Sequence, residues 1–345
     1  MASFSTPFKV TISQAKAHLG GKRTQQDCGK VFNGTGWSAA AVWDGHGADG
    51  FSDAAAAACQ NIISDEFYQK LLENPDKAAH ELFEAQQASN VDFLCQRLVR
   101  NGIPFEMCDG RVVTRHHRSL QGGTTATIVF VGYDGLVTTL NVGDSDAWLY
   151  SEQSSLKLSA DHFAETPEEY ARIMAIEGAT CEYDCPHMMR PRDSSVIRAE
   201  EITGTLRPYY VSNLDHKPAT VVRAAVKLSH TSGDGTKHPP TGGALAMSRS
   251  IGDEHLKSSG VIHTPSVSRH QITENSIIKV ASDGYWDAEV TAMAHNLTSA
   301  AVEKLGYDAN ALVEDWFQKN KAVSDDKFGT VGDNWWGYVI TVTLN

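Results

Sequence analysis

Four aspartates stand in closely similar surroundings. They are Asp44 in Val42-Trp43-Asp44-Gly45-His46-Gly47, Asp144 in Asn141-Val142-Gly143-Asp144-Ser145, Asp283 in Ala281-Ser282-Asp283-Gly284-Tyr285-Trp286-Asp287, and Asp333 in Val331-Gly332-Asp333-Asn334. Each follows or interrupts a short apolar run, with glycine beside it, so each carboxylate is expected at the end of a buried strand where the chain turns. Four carboxylates at one end of a sheet repel one another unless a cation sits among them. Hard divalent cations prefer such oxygen ligands. The expected chemistry is a binuclear Mg²⁺ or Mn²⁺ centre in a metal-dependent hydrolase. Glycines on both sides of His46 let the backbone approach a ligand, make the Gly45 carbonyl a candidate metal oxygen, and put His46 where it can protonate a leaving group. Taken alone, that tetrapeptide reads equally well as a glycine-rich turn with an incidental histidine.

The elements that must hold these residues are legible as short, β-branched runs closed by Gly, Asp or Asn: Lys9–Ile12, Trp37–Trp43, Thr125–Gly132, Leu136–Val142, Ala147–Tyr150, Ser276–Ala281 and Tyr338–Leu344. Tyr133-Asp134-Gly135 predicts a tight hairpin between two of them. Helices are expected over the Ala-rich Asp49–Ile63, over Lys77–Arg100, and near Thr298–Leu305 and Ala309–Lys319. Thr166-Pro167-Glu168-Glu169 predicts a further helix start with a capping box, closed at Gly178. Hairpin-linked strands with helices grouped between them predict an α+β layered fold of antiparallel sheets covered by helices. The aspartates span Asp44 to Asp333, so residues 1–345 are expected to form one catalytic domain. Two insertions stand out: the polar Asn101–Gln121, with Arg115-His116-His117-Arg118, and a longer stretch at about 180–241.

Composition narrows the function classes. The chain has 345 residues, 41% hydrophobic and 21% charged, with a formal net charge of -12. No basic run offers a face for nucleic acid, which argues against a nuclease. Six cysteines in a chain of this length do not make a disulfide framework. The first residues, Met-Ala-Ser-Phe-Ser-Thr, lack signal-peptide and myristoylation patterns, and no apolar stretch approaches membrane-spanning length. A monomer in the cytoplasm, the nucleus or both is the expectation, with no membrane or nucleic-acid partner.

Taken in order, Gln26-Asp27, Trp43-Asp44-Gly45-His46-Gly47, Gly122-Gly123-Thr124-Thr125-Ala126, Asn141-Val142-Gly143-Asp144-Ser145, Leu158-Ser159-Ala160-Asp161-His162, Ala246 through Asp253, Ala281 through Asp287 and Gly332-Asp333-Asn334 form a series. That series resembles the motif order of the metal-dependent protein phosphatases (the PPM or protein phosphatase 2C family) over roughly residues 8–345. The resemblance implies a four-layer α-β-β-α sandwich and hydrolysis of phosphoserine and phosphothreonine in proteins by a metal-activated hydroxide, without a phosphoenzyme. It implies that Asp44 bridges two metals with Gly45 as carbonyl ligand and that Asp283 and Asp333 complete the first site. Asp27 and Gln26 would support the metals or their water, Asp144 and Asp287 would bind a third ion, and His46 would be the general acid. Cys28, although near the site, has no catalytic role in this scheme.

Two positions depart from the family pattern. Where the family has a phosphate-gripping Arg five residues before Asp27, this chain has Lys22, followed by Arg23; a one-residue shift makes Arg23 the expected phosphate contact, with Lys22 the alternative. Where the family often has Glu, this chain has Gln26. The stretch at about 180–241 corresponds to the family's flap, is longer than expected, and either shapes the choice of protein substrate or is an inert insertion. The rival to an active phosphatase is a catalytically dead relative acting as a scaffold, a reading weakened by the presence of Asp44, Asp283 and Asp333.

Overall fold

In the computed structural model the described residues run from 8 to 345, leaving aside positions 109, 116–119, 153, 164–165, 176–178, 185–193, 203–204, 213–219, 224, 232–236, 239–244, 246, 287–290 and 328–332. Two five-stranded antiparallel sheets form the centre. The first runs Phe8–Gln14, Gly337–Leu344, Ser276–Ala281, Asp146–Tyr150, Ser155–Lys157; the second runs Ser266–Gln271, Leu136–Val142, Ala126–Gly132, Trp37–Trp43, Cys28–Gly34.

Strand Trp37–Trp43 shows why the sheets stack. Side chains alternate across a strand, so Ala40 and Val42 face one way while Trp37, Ala39, Ala41 and Trp43 face the other. All seven residues are buried, because both faces are covered. Ala40 and Val42 join Val129, Val131, Val280, Ile340 and Val342 in the core between the sheets. The opposite face packs with Ile128 and Phe130 against helices α1 (Phe51–Ile62), α2 (Asp65–Glu73) and α3 (Pro75–Arg100). After α4 (Pro167–Met174) and the short α5 (Asp283–Trp286) come α6 (Thr291–Leu305) and α7 (Ala309–Lys327). Leu312, Trp316 and Phe317 of α7 cover Ile277 and Val339 on the outer face of the first sheet. The architecture is the expected α-β-β-α sandwich.

The expected strands are present within a residue or two, and Gly135 closes the hairpin with φ 88° and its N–H on the Gly132 carbonyl at 2.9 Å. Elements that were not expected include α2, the strand Cys28–Gly34 and the strand Ser266–Gln271. The capping box is a correction. Thr166 Oγ1 donates to the Phe163 carbonyl at 2.9 Å, and Glu169, buried at 2% exposure, turns inward to Arg249, Arg172 and Ser248 instead of back to the helix start. Burial of a carboxylate among two guanidiniums outweighs a local cap. Residues Ala179–Asp184, Ser194–Ile202, Thr205–Ser212, Thr220–Arg223, Ala225–Thr231 and Lys237–His238 form two small sheets within the long insertion. Among the described residues no helix is long and apolar enough to cross a membrane. His116, His117 and Arg118 of the first, polar insertion, and Asp287, lie outside the described residues.

Candidate active site

Strand register gathers the aspartates at one end of the sandwich. Cys28 pairs with Trp43, so Asp27 and Asp44 emerge side by side from the second sheet. Ala281 pairs with both Asp146 and Gly337, which brings Asp283 and Asp333 out of the first sheet at that same end. The crossover between sheets passes through Gly143-Asp144-Ser145, where Gly143 takes φ 98°, a conformation that a side chain would strain. Asp144 is buried on this turn. Ser282 stitches the two sheets beneath the site: its hydroxyl donates to Asp27 Oδ2 at 2.7 Å and accepts from Trp336 N–H at 2.9 Å. Asn334, beside Asp333, donates to Gln25 Oε1 at 2.6 Å.

Asp44 is anchored through its backbone. Its N–H donates to Thr125 Oγ1 at 3.1 Å, and its carbonyl accepts from Thr125 N–H and from Thr124 Oγ1, both at 2.9 Å. Gly45 lies so close to the Gln26 carbonyl that a Cβ there would collide with it. The side chain of Gln26 donates to Asp49 Oδ1 at 3.2 Å, and Thr24 Oγ1 donates to the same oxygen at 2.9 Å, fixing the loop that carries Lys22.

The electrostatics follow from crowding. Burial raises the Asp44 pKa well above the usual carboxylate range, and Asp27, Asp283 and Asp333 raise it further. Asp27 is raised for the same reason, by burial first and then by Asp283 and Asp333, against the hydrogen bond from Ser282. Asp283 is raised by burial and by Asp333. Asp27 Oδ1 is buried with no hydrogen-bond donor among the described residues. Lys22 Nζ reaches Asp333 Oδ1 at 2.8 Å. Burial opposes its charge, yet Asp333, with Asp44 and Asp283 behind it, wins and raises the Lys22 pKa. Arg23, next in the chain and likewise exposed, is not the residue that meets Asp333. Burial pushes the Cys28 thiol up to about 12, which leaves it without nucleophilic thiolate at neutral pH.

His46 closes the site on the other side. Its Nε2 lies 2.5 Å from Asp253 Oδ2, and its Nδ1 is buried without a hydrogen-bond partner. Burial works against the imidazolium, but Asp253 prevails and raises the His46 pKa. Burial likewise opposes the Asp253 charge, and His46, with Ser250 Oγ donating at 2.7 Å, brings its pKa down to about 2.

A divalent ion suits this donor set by its chemistry. All the converging groups are hard oxygens, they disfavour one another's ionisation, and Asp27 keeps one oxygen unpartnered. Among the described residues no three His, Cys, Asp or Glu side chains stand in a ready-made chelating arrangement. In this arrangement the Lys22 ammonium is the positive charge in contact with Asp333.

Asp253, Ser250, Ser282, Thr124 and Thr125 take roles here that residue type and spacing do not reveal. Asp253 lies in the segment Ala246 through Asp253, whose place in the motif series was the available signal.

Comparison with known proteins first defines the class by fold. A crystal structure described as a serine-threonine phosphatase 2C from Toxoplasma gondii superposes with a TM-score of 0.59 at 18% identity, covering 97% of this chain and 95% of that one. A second Toxoplasma gondii phosphatase structure gives 0.56 at 17% identity, covering 98% and 93%. The sequence then gives the family. The protein phosphatase 2C family model matches residues 13–183 and 238–309, and the chain belongs to that family. The match passes over 184–237 inside the long insertion, and Asp333 lies beyond it. Among curated relatives, probable protein phosphatase 2C 61 of Arabidopsis thaliana is 28% identical over 228 residues, 64% of this chain and 56% of its own length. Putative protein phosphatase 2C 50 from the same plant is 33% identical over 177 residues, covering 49% and 38%. The chain thus spans about half the length of the curated relatives it matches, or less.

Proposed function

We propose that this protein is a Mg²⁺- or Mn²⁺-dependent phosphatase acting on phosphoserine and phosphothreonine in proteins. The observation that carries this reading is the convergence of Asp27, Asp44, Asp283 and Asp333 at the mouth of a phosphatase 2C fold, where burial and the neighbouring carboxylates raise the proton affinity of Asp27, Asp44 and Asp283. Holding four carboxylates together with one lysine costs stability, and bound cations would reverse that cost.

Asp44, the Gly45 carbonyl, Asp283 and Asp333 would hold two ions, with Asp27 and Gln26 at their edge and Asp144 with Asp287 at a third. The ions, when bound, supply Lewis acidity and a water acidic enough to attack phosphorus at neutral pH. Lys22 binds a phosphoryl oxygen by exchanging its contact with Asp333 for one with substrate; as a point charge it holds phosphate less directionally than the guanidinium common in the family. Its contact with Asp333 supports Lys22 over Arg23 as the phosphate contact. His46 gives a proton to the departing serine or threonine oxygen. The buried, high-pKa Cys28 takes no part.

Hydrolysis of p-nitrophenyl phosphate with Mn²⁺ and with EDTA, followed by phosphoserine, phosphothreonine and phosphotyrosine peptides, tests the reading. Metal-dependent turnover that favours the first two peptides supports it. No turnover in the presence of metal would replace it with the scaffold reading.

A further inference from the structure

The bond between His46 and Asp253 joins residues 207 apart in the sequence, and three features are arranged to make it. The first is a small sheet in the order Ile251–Gly252, Gly123–Thr124, Gly45–His46. Its register puts Gly123 directly between Gly252 and His46. The second is Gly123 itself: a Cβ there would lie 2.8 Å from Asp253 Cγ and closer still to the carboxylate oxygen that meets His46. Only glycine leaves that carboxylate its path across the strand. The third is the backbone of Asp253, the one non-glycine with positive φ among the described residues, at φ 48° and ψ 46°. Such a conformation is disfavoured for a non-glycine residue and persists where the surroundings impose it. Here the Asp253 N–H is held by the Gly122 carbonyl at 2.9 Å and its carboxylate by Ser250 Oγ at 2.7 Å. Asp253 is 1% exposed.

We propose that Asp253 is the positioning residue for His46, fixing the ring so that Nε2–H donates to the carboxylate and Nδ1 is the atom that delivers the proton to the leaving oxygen. This rests on the phosphatase reading above. In the step, the bond between phosphorus and the serine or threonine oxygen breaks and its electron pair goes to that oxygen, which takes the Nδ1 proton. Attacking water supplies the new oxygen on phosphorus and releases its own proton to solvent. His46 keeps its Nε2 proton on Asp253 throughout, and Nδ1 recovers a proton from solvent. Without the carboxylate the ring is free to turn over, and Nδ1–H is no longer held towards the leaving oxygen.

The test uses Asp253→Asn, because Asn has the same shape and tolerates the left-handed backbone. Turnover with Mn²⁺ is measured on phenyl, p-nitrophenyl and 2,4-dinitrophenyl phosphate, whose leaving groups need progressively less protonation. The expected result is a loss in kcat of about 100-fold on phenyl phosphate and less than about 3-fold on the dinitrophenyl ester, with KM unchanged. His46→Gln should show the same leaving-group dependence, and the double variant should lose no more than either single one. Ser250→Ala, which removes only the hydroxyl holding Asp253, should shift turnover in the same direction by less. A loss equal across all three esters, or no loss, overturns the proposal.

A ¹⁵N spectrum of the metal-free protein supplies a readout independent of turnover. At a pH high enough for the imidazole to be neutral, His46 should carry its one proton on Nε2 in the native chain and populate both tautomers in Asp253→Asn; identical tautomers in the two proteins would also overturn it. If the native chain hydrolyses none of the esters, the phosphatase reading and the proton-delivery role fall together, while the tautomer spectrum still decides whether Asp253 fixes the ring. If the native chain is active and only the leaving-group dependence is missing, the positioning role alone falls.

Discussion

Buried carboxylates occur in two regions of this molecule and behave in opposite ways. At the mouth of the sandwich, burial and mutual repulsion push Asp27, Asp44 and Asp283 towards the neutral form. About the base of the insertion, Glu169 is just as hidden from solvent, yet its pKa falls to about 2. Burial opposes that fall, but Arg249 Nε at 2.9 Å, Arg172 Nη2 at 2.6 Å and Ser248 Oγ at 2.6 Å reverse it. One region gives every buried oxygen a donor; the other brings four like charges together with a single lysine. A fold that satisfies Glu169 so fully has the means to satisfy the aspartates, so leaving them short of donors marks a place kept for something else. The Glu169 clamp holds α4 to the Ser248–Arg249 segment. Beside it, neutral His162 accepts from Gly143 N–H at 3.0 Å, bracing the turn that carries Asp144. Rigidity in the second region thus supports charge crowding in the first.

The contrast can be broken most severely at Asp283. Asp283→Asn should lower metal-dependent turnover on the order of a thousandfold if, as proposed, its carboxylate holds a metal. In metal-free protein the same change should raise Tm by about 2 °C, because one repelling charge is gone. Calorimetry with EDTA checks this; a lower Tm would mean that the carboxylates do not strain the fold.

The clamp should respond in the opposite sense. Glu169→Gln leaves Arg249 and Arg172 without their counter-charge and should cost about 3 kcal/mol in urea unfolding. A loss within error of zero would show that the clamp contributes no stability. Next in size is phosphate binding: Lys22→Ala should raise KM for a phosphopeptide about 10-fold and Arg23→Ala less than 2-fold. The reverse ranking would move the contact to Arg23.

The smallest effect is a pH dependence. Burial, helped by Arg249, lowers the His162 pKa from 6.5 to about 3. The unfolded chain therefore binds this proton first as pH falls, and stability decreases below pH 6.5 towards 3. The step from pH 6.5 to 5.5 should cost about 1 kcal/mol, and His162→Gln should remove that portion of the slope. Glu169 adds a further loss only below pH 4.5, as pH falls towards about 2.

The legible and illegible parts of the fold differ for physical reasons. Trp37–Trp43 and Ala126–Gly132 are covered on both faces, so their apolar runs announce themselves. Cys28–Gly34 is an edge strand whose Lys30 and Val31 face solvent, and its pattern fades into that of a loop. Thr166 and Glu169 have the spacing of a capping box, but a guanidinium 80 positions away claims the glutamate. Local signals lose where a distant charge offers more.

Sequence alone determined that Asp44, Asp144, Asp283 and Asp333 end apolar strands and that glycines flank His46, because residue type and near-neighbour spacing set backbone turns. It therefore also determined the family and the layered fold. Only the tertiary structure decided which groups touch. Lys22 rather than Arg23 reaches Asp333, Ser282 holds Asp27, and Asp253 arrives at His46 across Gly123. Those pairings depend on strand register between segments far apart in the chain, and no local pattern of residues encodes which distant side chain fills a given space.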